Sequence, residues 1–237
     1  MLTRQAAPVT HVAQTPLHIP HLENGDHLTR GEFERRYSQT AEKFKAELIE
    51  GVVYVPSPAR VKAHANPHST IIGLLFNYAV ATPGTQVGDN GTVRLDADNE
   101  VQPDAFLRIE EKYGGQSRLS ADDYIEGAPE LIVEIAASSA SYDLYEKFNV
   151  YRRVGVREYI VWRTEDKALD WFRLQEGKYE RVLPDAAGIL RSAIFPGLNL
   201  AAQAVLEDRL SDVLAELQKG IGSPEHQQFA EKLAKGK

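Results

Sequence analysis

The chain has 237 residues, of which 43% are hydrophobic, and it carries a formal net charge of −7. This length allows one substantial core, while the absence of cysteine excludes disulfides, thiolate metal sites and a cysteine nucleophile. The acidic balance argues against a protein that coats duplex DNA with a uniformly basic surface, but it leaves room for a local basic groove. Because the sequence shows neither a membrane-spanning apolar run nor a secretory signal at its start, we expect a cytoplasmic protein.

The N-terminal part predicts an arm followed by a helix. Residues 1–26 have three prolines and no helical or strand period, which is typical of a flexible segment. Thr29 and Glu32 have the spacing of a capping box, and Phe33 begins an apolar stripe. A helix is therefore expected to begin at Thr29.

The next segments predict a strand pair, a long helix and several short strands. Residues 46–58 (AELIEGVVYVPSP) are rich in β-branched and aromatic side chains, with Glu50–Gly51 as a turn. The apolar run over 68–81 predicts a helix that is buried on most faces. Short strands are expected around 85–88, 92–95 and 103–109, and a long surface loop over 110–128.

The second half predicts a central strand, a crossover helix and a series of strands. Residues 130–136 (ELIVEIA) form a nearly continuous apolar run, as expected of a strand covered on both faces. Residues 142–154 place Leu144, Phe148 and Tyr151 on one helix face. Further strands are expected at 158–162, 169–174 and 178–182, the last two joined by a hairpin turn at Glu176–Gly177, and amphipathic helices at 201–219 and 224–235.

These elements predict one α/β domain with a mixed sheet. Strand, helix and strand in the window 130–162 suggest a right-handed crossover unit within that sheet. The predicted organisation is a flexible arm over residues 1–26, a core over 27–200 and a helical C-terminal extension over 201–237.

Three carboxylates stand out as candidates for chemistry. Glu134 is embedded in an apolar strand, Asp104 opens another strand, and Glu47 enters the first strand. Each has an ordinary alternative: strand alternation that points Glu134 to water, a turn cap for Asp104, and a solvated strand edge for Glu47. Taken together, carboxylates on neighbouring strands are suited to hold one divalent ion, and such hard oxygen ligands favour magnesium or manganese.

Lys147 is a candidate for stabilising charge near these acids. It lies on the helix that follows the Glu134 strand, and an ammonium there is suited to assist hydrolysis. Asp143 lies four residues earlier on the same helix. The alternative is a surface ion pair between the two, which is worth only about 0.3–0.5 kcal/mol.

At this point the residues resemble a known family. The succession of ELIEG, a PD that opens a strand, and LIVEIAASSASYDLYEKFNVYRRVGVREYIVW is similar to the Uma-two family of restriction-endonuclease-like proteins, a branch of the PD-(D/E)XK nuclease superfamily. The resemblance covers roughly residues 29–200 and is most specific over Glu130–Trp162. It assigns the superfamily's PD aspartate to Asp104, its second acid to Glu134 and the family's early acid to Glu47.

The resemblance has one departure and several implications. Ala136 stands where the superfamily motif has its lysine, and Lys147 is the implied substitute, because a long ammonium side chain can reach the same centre from a neighbouring helix. The family implies a restriction-endonuclease-like mixed sheet with flanking helices, a Mg²⁺ or Mn²⁺ cofactor and hydrolysis of phosphodiester bonds in DNA. Homodimerisation is a further expectation. The alternative is a catalytically inactive nuclease-fold module that binds nucleic acid or a protein partner.

Two further features bear on nucleic-acid binding. His64 and His68 have the spacing of a helical zinc site, but Pro67 between them and the lack of a following glutamate exclude the metalloprotease pattern. We expect His68 to approach the nucleic acid or the metal site, with a helix-start residue as the alternative. Five basic residues between positions 147 and 163 face one acid, which favours contact with a phosphate backbone over a plain solvated helix face no more than equally. The predicted contacts among them are Arg152, Arg153 and Arg157.

Overall fold

A computed structural model describes residues 19–41, 43–56, 60–137 and 143–236, which form short strands and helices in alternation. The helices are α1 (Arg30–Tyr37), α2 (Asn66–Ala81), α3 (Phe148–Val154), α4 (Ala202–Leu206), α5 (Leu210–Ile221) and α6 (Pro224–Ala234), with π-helical turns over Val61–Ala65 and Asp143–Lys147 and a 3-10 turn over Glu111–Tyr113. The strands are β1 (Glu47–Ile49), β2 (Val52–Tyr54), β3 (Thr85–Asp89), β4 (Val93–Arg94), β5 (Glu100–Val101), β6 (Ala105–Ile109), β7 (Arg118–Leu119), β8 (Ile125–Glu126), β9 (Leu131–Ala136), β10 (Glu158–Arg163), β11 (Ala168–Gln175), β12 (Lys178–Arg181), β13 (Ile189–Arg191) and β14 (Asn199–Ala201).

Two six-stranded sheets form the framework, and β13 and β14 form a separate hairpin. The first sheet has the order β2-β1-β5-β4-β8-β7, and the second has the order β12-β11-β10-β9-β6-β3. In the second sheet β9 pairs in parallel with β10, and in antiparallel with β6. The predicted mixed α/β fold is therefore confirmed, with the crossover through α3 joining two neighbouring parallel strands.

Strand β9 is covered on both faces, as its apolar run predicts. Leu131, Val133 and Ile135 pack in a cluster with α2, α5 and α6. Ile132 and Ala136 pack in a second cluster on the other face, with α3 and the first sheet. The alternation of side chains along a strand thus assigns every residue of β9 to one of two buried layers.

Local signals in the first fifty residues of the fold are confirmed. The Thr29 hydroxyl accepts a hydrogen bond from Glu32 N at 3.4 Å and caps α1, while the Glu32 carboxylate pairs with Arg35. Strands β1 and β2 pair around Glu50–Gly51, whose φ angles are 53° and 74°. Two residues with positive φ are the requirement of the tight hairpin turn that the sequence indicates.

The helix α2 differs from its prediction. It was expected to be buried on most faces, but Phe76 and Val80 are 57% and 69% exposed. Leu74 and Tyr78 are buried against the second sheet. A continuous apolar run has no period from which the buried face can be identified, so the expectation of burial on most faces is wrong. The helix also begins two residues earlier, with Pro67 in its first turn, where proline needs no hydrogen-bond partner.

The predicted surface loop over residues 110–128 is also wrong in part. It contains the 3-10 turn and strands β7 and β8, which complete the edge of the first sheet. Ile125 is buried in the core, and Ser117 O accepts a hydrogen bond from the buried Arg108 guanidinium at 3.0 Å. Two-residue strands are too short to show an alternation, so sequence periodicity does not reveal them.

The predicted termini change as well. The helix expected over 201–219 is broken into α4 and α5 at Asp208, which has a φ of 57°. Val213 and Leu217 of α5 are buried in the same cluster as α2, so the C-terminal helices complete the main core. Of the predicted arm, residues 1–18 lie outside the described residues. Leu22 is buried with Phe33, so the arm does not extend to residue 26 as predicted.

Two other predictions meet the limits of the described chain. The helix expected from Tyr142 begins with residues that lie outside it, and the part that is described ends at Gly155, as expected. No helix among the described residues is long and apolar enough to cross a lipid bilayer.

Candidate active site

Glu134 is a buried acid on the face of β9 that α3 covers. Its neighbours Ile132 and Ala136 belong to the cluster on that side, and Glu134 itself is only 3% exposed. Glu134 Oε1 accepts hydrogen bonds from Lys147 Nζ at 2.9 Å and from the Tyr151 hydroxyl at 2.8 Å. Lys147 and Tyr151 are four residues apart and therefore lie on one side of their helix. The acid is thus held from α3 and the turn before it.

Asp104 lies directly before β6, opposite Glu134 in the antiparallel pair. Ile135 N donates to Asp104 Oδ2 at 2.7 Å, and Asp104 N donates to Glu134 Oε2 at 3.4 Å. Phe106, two residues after Asp104, packs in the same cluster as Ile132. The two carboxylates therefore share one face of the sheet, as the sequence analysis expects.

Glu47 brings a third acid from the first sheet. Its Oε1 accepts a hydrogen bond from Gln102 N at 2.8 Å and lies 3.0 Å from Lys147 Nζ. Lys147 is 5% exposed and so pairs with acids of both sheets inside the protein. A buried ammonium requires such partners, which excludes the surface ion-pair alternative for Lys147. The side chain of Asp143 lies outside the described part of the chain.

Asp104 also contacts a histidine that the sequence analysis did not select. His64 Nε2 lies 3.1 Å from Asp104 Oδ1. Burial by itself would raise the pKa of Asp104, but the His64 ring, the amide of Ile135 and the charge of Lys147 together lower it below its usual value. The anionic form of Asp104 is therefore favoured.

The donor set fits a hard divalent cation. Mg²⁺ typically binds one or two carboxylates and fills its other positions with water and substrate phosphates, and Asp104 and Glu134 provide two carboxylates side by side. Among the described residues, no three histidine, aspartate or glutamate side chains surround a common point. Glu47 contacts Lys147, and its assignment as a further metal ligand stays a prediction.

The structure places His68 at the same edge of the second sheet. Its Nε2 donates to Asp104 O at 2.8 Å and lies 3.1 Å from Asp89 Oδ1. The spacing of His64 and His68 indicated a shared helix side but not which of the two reaches an acid. Tyr151 was also missed, because in the sequence it is one more member of an apolar stripe.

The predicted arginine contacts lie away from the carboxylates. Arg152 donates to a backbone carbonyl in the β11–β12 turn, Arg157 donates to the Gln116 side chain, and Arg153 pairs with Glu50. They are located at the end of α3 and the start of β10, which is level with the first residue of β9. Glu134 is three residues further along β9, or about 10 Å. The structure does not bring these arginines to the acid cluster.

Comparisons with known proteins agree with this geometry. Residues 30–203, well over half of the chain, match the model of the family Uma2, described as "Putative restriction endonuclease". The chain is similar in structure to a protein from Anabaena variabilis described as a "putative nuclease belonging to DUF820", with a TM-score of 0.54 and 13% identity. That match covers 80% of this chain and 99% of the other, and at this identity it shows the fold alone. No curated protein matches the chain.

Proposed function

The chain belongs to the Uma2 family, and from this premise we propose that it is a metal-dependent endonuclease that hydrolyses phosphodiester bonds in DNA. The observation that carries the proposal is the buried contact of Lys147 Nζ with Glu134 and Glu47, beside Asp104. Such a group of acids and a cation is suited to binding an ion and stabilising phosphate charge.

In this proposal each side chain has a separate role. Asp104 and Glu134 hold Mg²⁺ or Mn²⁺, and a bound ion supplies Lewis acidity towards a phosphate oxygen. Lys147 places a positive charge where the attacking and leaving oxygens gain negative charge. Glu47 is the third acid of the set, and its contact with Lys147 also holds the ammonium in place.

The position of the lysine agrees with the departure at Ala136. Ala136 is fully buried in the cluster that also contains Val150, so a lysine at that position would displace packed side chains. Lys147 reaches Glu134 Oε1 at 2.9 Å from the turn that precedes α3. A lysine on the helix therefore supplies the charge at lower steric cost.

The DNA substrate and the number of chains are further parts of the proposal. DNA is favoured because the family is described by a restriction activity. A single cluster of this kind acts on one strand at a time, so we propose that two copies of the chain act together on a duplex. Sedimentation of the protein with and without duplex DNA tests the dimer.

The test is cleavage of supercoiled plasmid DNA with Mg²⁺, Mn²⁺ or EDTA. The parent is expected to cut only with a divalent ion. Lys147→Met is expected to cut about 100 to 1,000 times more slowly, the range for loss of one preorganised charge-stabilising group. Lys178→Met, which changes an exposed lysine on β12, is the control and should cut at the parent rate.

Metal binding is measured separately by thermal unfolding. A saturating ion, at roughly a hundred times its Kd, stabilises the folded state by about 2.7 kcal/mol. This stabilisation should persist in Lys147→Met and disappear in Glu134→Gln. If the pure parent cuts no substrate with either ion, the chain is instead a nuclease-fold binding module.

A further inference from the structure

The acids of the site lie along one edge of the second sheet. Asp104 opens β6, Glu134 is near the end of β9, Asn90 follows the end of β3, and Glu165 lies just beyond the end of β10. From β3 to β10 there are three strand spacings, or about 14 Å. This distance corresponds to about four nucleotide steps along one strand of B-DNA.

Lys45 is an exposed cation at the β3 side of this edge. Its Nζ lies 3.3 Å from Asn90 Oδ1. Asn90 Nδ2 in turn lies 3.5 Å from His68 Nε2, which donates to Asp104 O. Lys45 is therefore connected to Asp104 through two side chains, and its partner is a neutral amide that does not neutralise its charge.

Arg60 is an exposed cation at the β10 side. Arg60 O accepts a hydrogen bond from His64 N at 2.9 Å, and the His64 ring contacts Asp104, so Arg60 is one helical turn from the site. Its side chain is 73% exposed and pairs at 3.3 Å with Glu165, which is 54% exposed. An ion pair this exposed is worth only about 0–1 kcal/mol, so a phosphate can replace Glu165 as the partner.

We propose that Lys45 and Arg60 bind backbone phosphates of the substrate strand on the two sides of the bond that lies at Asp104 and Glu134. This inference rests on the proposed function and assigns its nucleic-acid contacts to the edge of the sheet that holds the acids. Arg152, Arg153 and Arg157, at the other end of β9, then contribute little to binding.

Two acids at this edge do not oppose the assignment. Asp89 is paired with His68, and Glu165 is paired with Arg60. Phosphate binding removes Arg60 from Glu165 and leaves that exposed carboxylate in water, where it costs little.

The experiment measures binding of a fluorescein-labelled DNA duplex by anisotropy in EDTA, so that no cleavage occurs, over a series of salt concentrations. The double variant Lys45→Ala with Arg60→Ala is compared with Arg152→Ala with Arg157→Ala. Both doubles remove two positive charges whose partners include neutral groups, and circular dichroism melting checks that both fold. Lys45→Gln with Arg60→Gln repeats the neutralisation with longer side chains if the alanine double does not fold.

The edge double is expected to raise Kd about ten-fold and to reduce the slope of log K against log salt by about two, because each lost phosphate contact changes that slope by about 0.9. The Arg152 and Arg157 double should leave the slope unchanged. Equal losses in both doubles, or a loss only in the second, would overturn the inference while leaving the proposed nuclease standing. A parent that neither binds nor cuts DNA would overturn both.

Discussion

The two ends of β9 both hold a buried acid, but they hold it in different ways. At one end Glu130 is completely buried and accepts hydrogen bonds from two backbone amides, Ile109 N at 2.8 Å and Gln116 N at 2.9 Å. At the other end Glu134 accepts from the side chains of Lys147 and Tyr151. Backbone amides are fixed by the fold, whereas an ammonium on a flexible stem can change partners.

Glu158 extends the comparison to the next strand. It lies beside Glu130 at the start of β10 and is also completely buried. It accepts from Ser192 Oγ at 2.6 Å and from Ala193 N at 2.9 Å, and pairs with Arg173 at 3.2 Å. These partners fasten the segment after β13 to the sheet. Burial of an acid is therefore no sign of chemistry by itself, and the kind of partner distinguishes the two ends.

Cleavage should distinguish the ends most strongly. Glu134→Gln removes a charge from the proposed metal site and should reduce plasmid cutting by more than 100-fold, since a lost preorganised charge interaction is worth about 2.7–4 kcal/mol. Glu130→Gln changes an equally buried acid on the same strand and should cut at nearly the parent rate, measured at a temperature where both variants are folded. Equal losses of cutting in the two variants would remove the distinction.

Stability should show the opposite order. Both carboxylate oxygens of Glu130 accept from backbone amides, so the NH₂ group of Glu130→Gln must face one of these donors. A buried donor left without an acceptor costs about 1–3 kcal/mol. In Glu134→Gln the amide oxygen can keep the contacts of Oε1, and only the 3.4 Å contact of Oε2 is lost. Urea unfolding should therefore show the larger loss for Glu130→Gln.

The sequence predicts the second sheet better than the first. The apolar run of β9, the α3 stripe and the two-residue hairpin turn each carry a period or a turn signal, and each is confirmed. Strands β5, β7 and β8 have two residues each, too few for any period. They form because β1 and β4 offer unpaired edges, which is a property of the fold and not of the local sequence.

The candidate site shows a similar division. Asp104, Glu134 and Lys147 could be selected from their surroundings and the family resemblance, and the structure brings them together. Glu130 has much the same apolar surroundings as Glu134, so the sequence cannot separate a fixed acid from an exchangeable one. His64 reaches Asp104 only because α2 packs across the end of β6, which no local pattern records.

Tyr151 provides a finer test of how Glu134 is held. Its hydroxyl donates to Glu134 Oε1 at 2.8 Å inside the core, so Tyr151→Phe leaves one contact of that oxygen unmade. Loss of a group that orients a metal ligand typically weakens metal binding by about 10-fold or more. Calorimetric titration with Mn²⁺ measures this change. Tyr179→Phe, whose hydroxyl donates to Val156 O at 2.9 Å, removes a buried hydroxyl elsewhere and should leave metal affinity unchanged.

The smallest expected effect is a dependence of stability on pH at Glu158. Burial raises the pKa of Glu158 above its ordinary value of 4.5, against the opposing hydrogen bonds of Ser192 and Ala193 and the charge of Arg173. The folded chain therefore holds this proton more tightly than the unfolded chain, and the resulting stability is present below pH 4.5 and is lost as the pH rises through the raised pKa. The effect is small because the three partners offset much of the burial.

Glu158→Gln removes the titrating group and should make the free energy of unfolding less dependent on pH. Urea unfolding at a series of pH values from 4.5 to neutrality measures the difference between parent and variant, which should decline as the pH rises. Glu180→Gln, which neutralises an exposed carboxylate on β12, serves as the control for the change in net charge. If the parent and Glu158→Gln have the same pH dependence, Glu158 is held as firmly in its ionised form as Glu130, and the far end of the sheet contains no titrating group in this range.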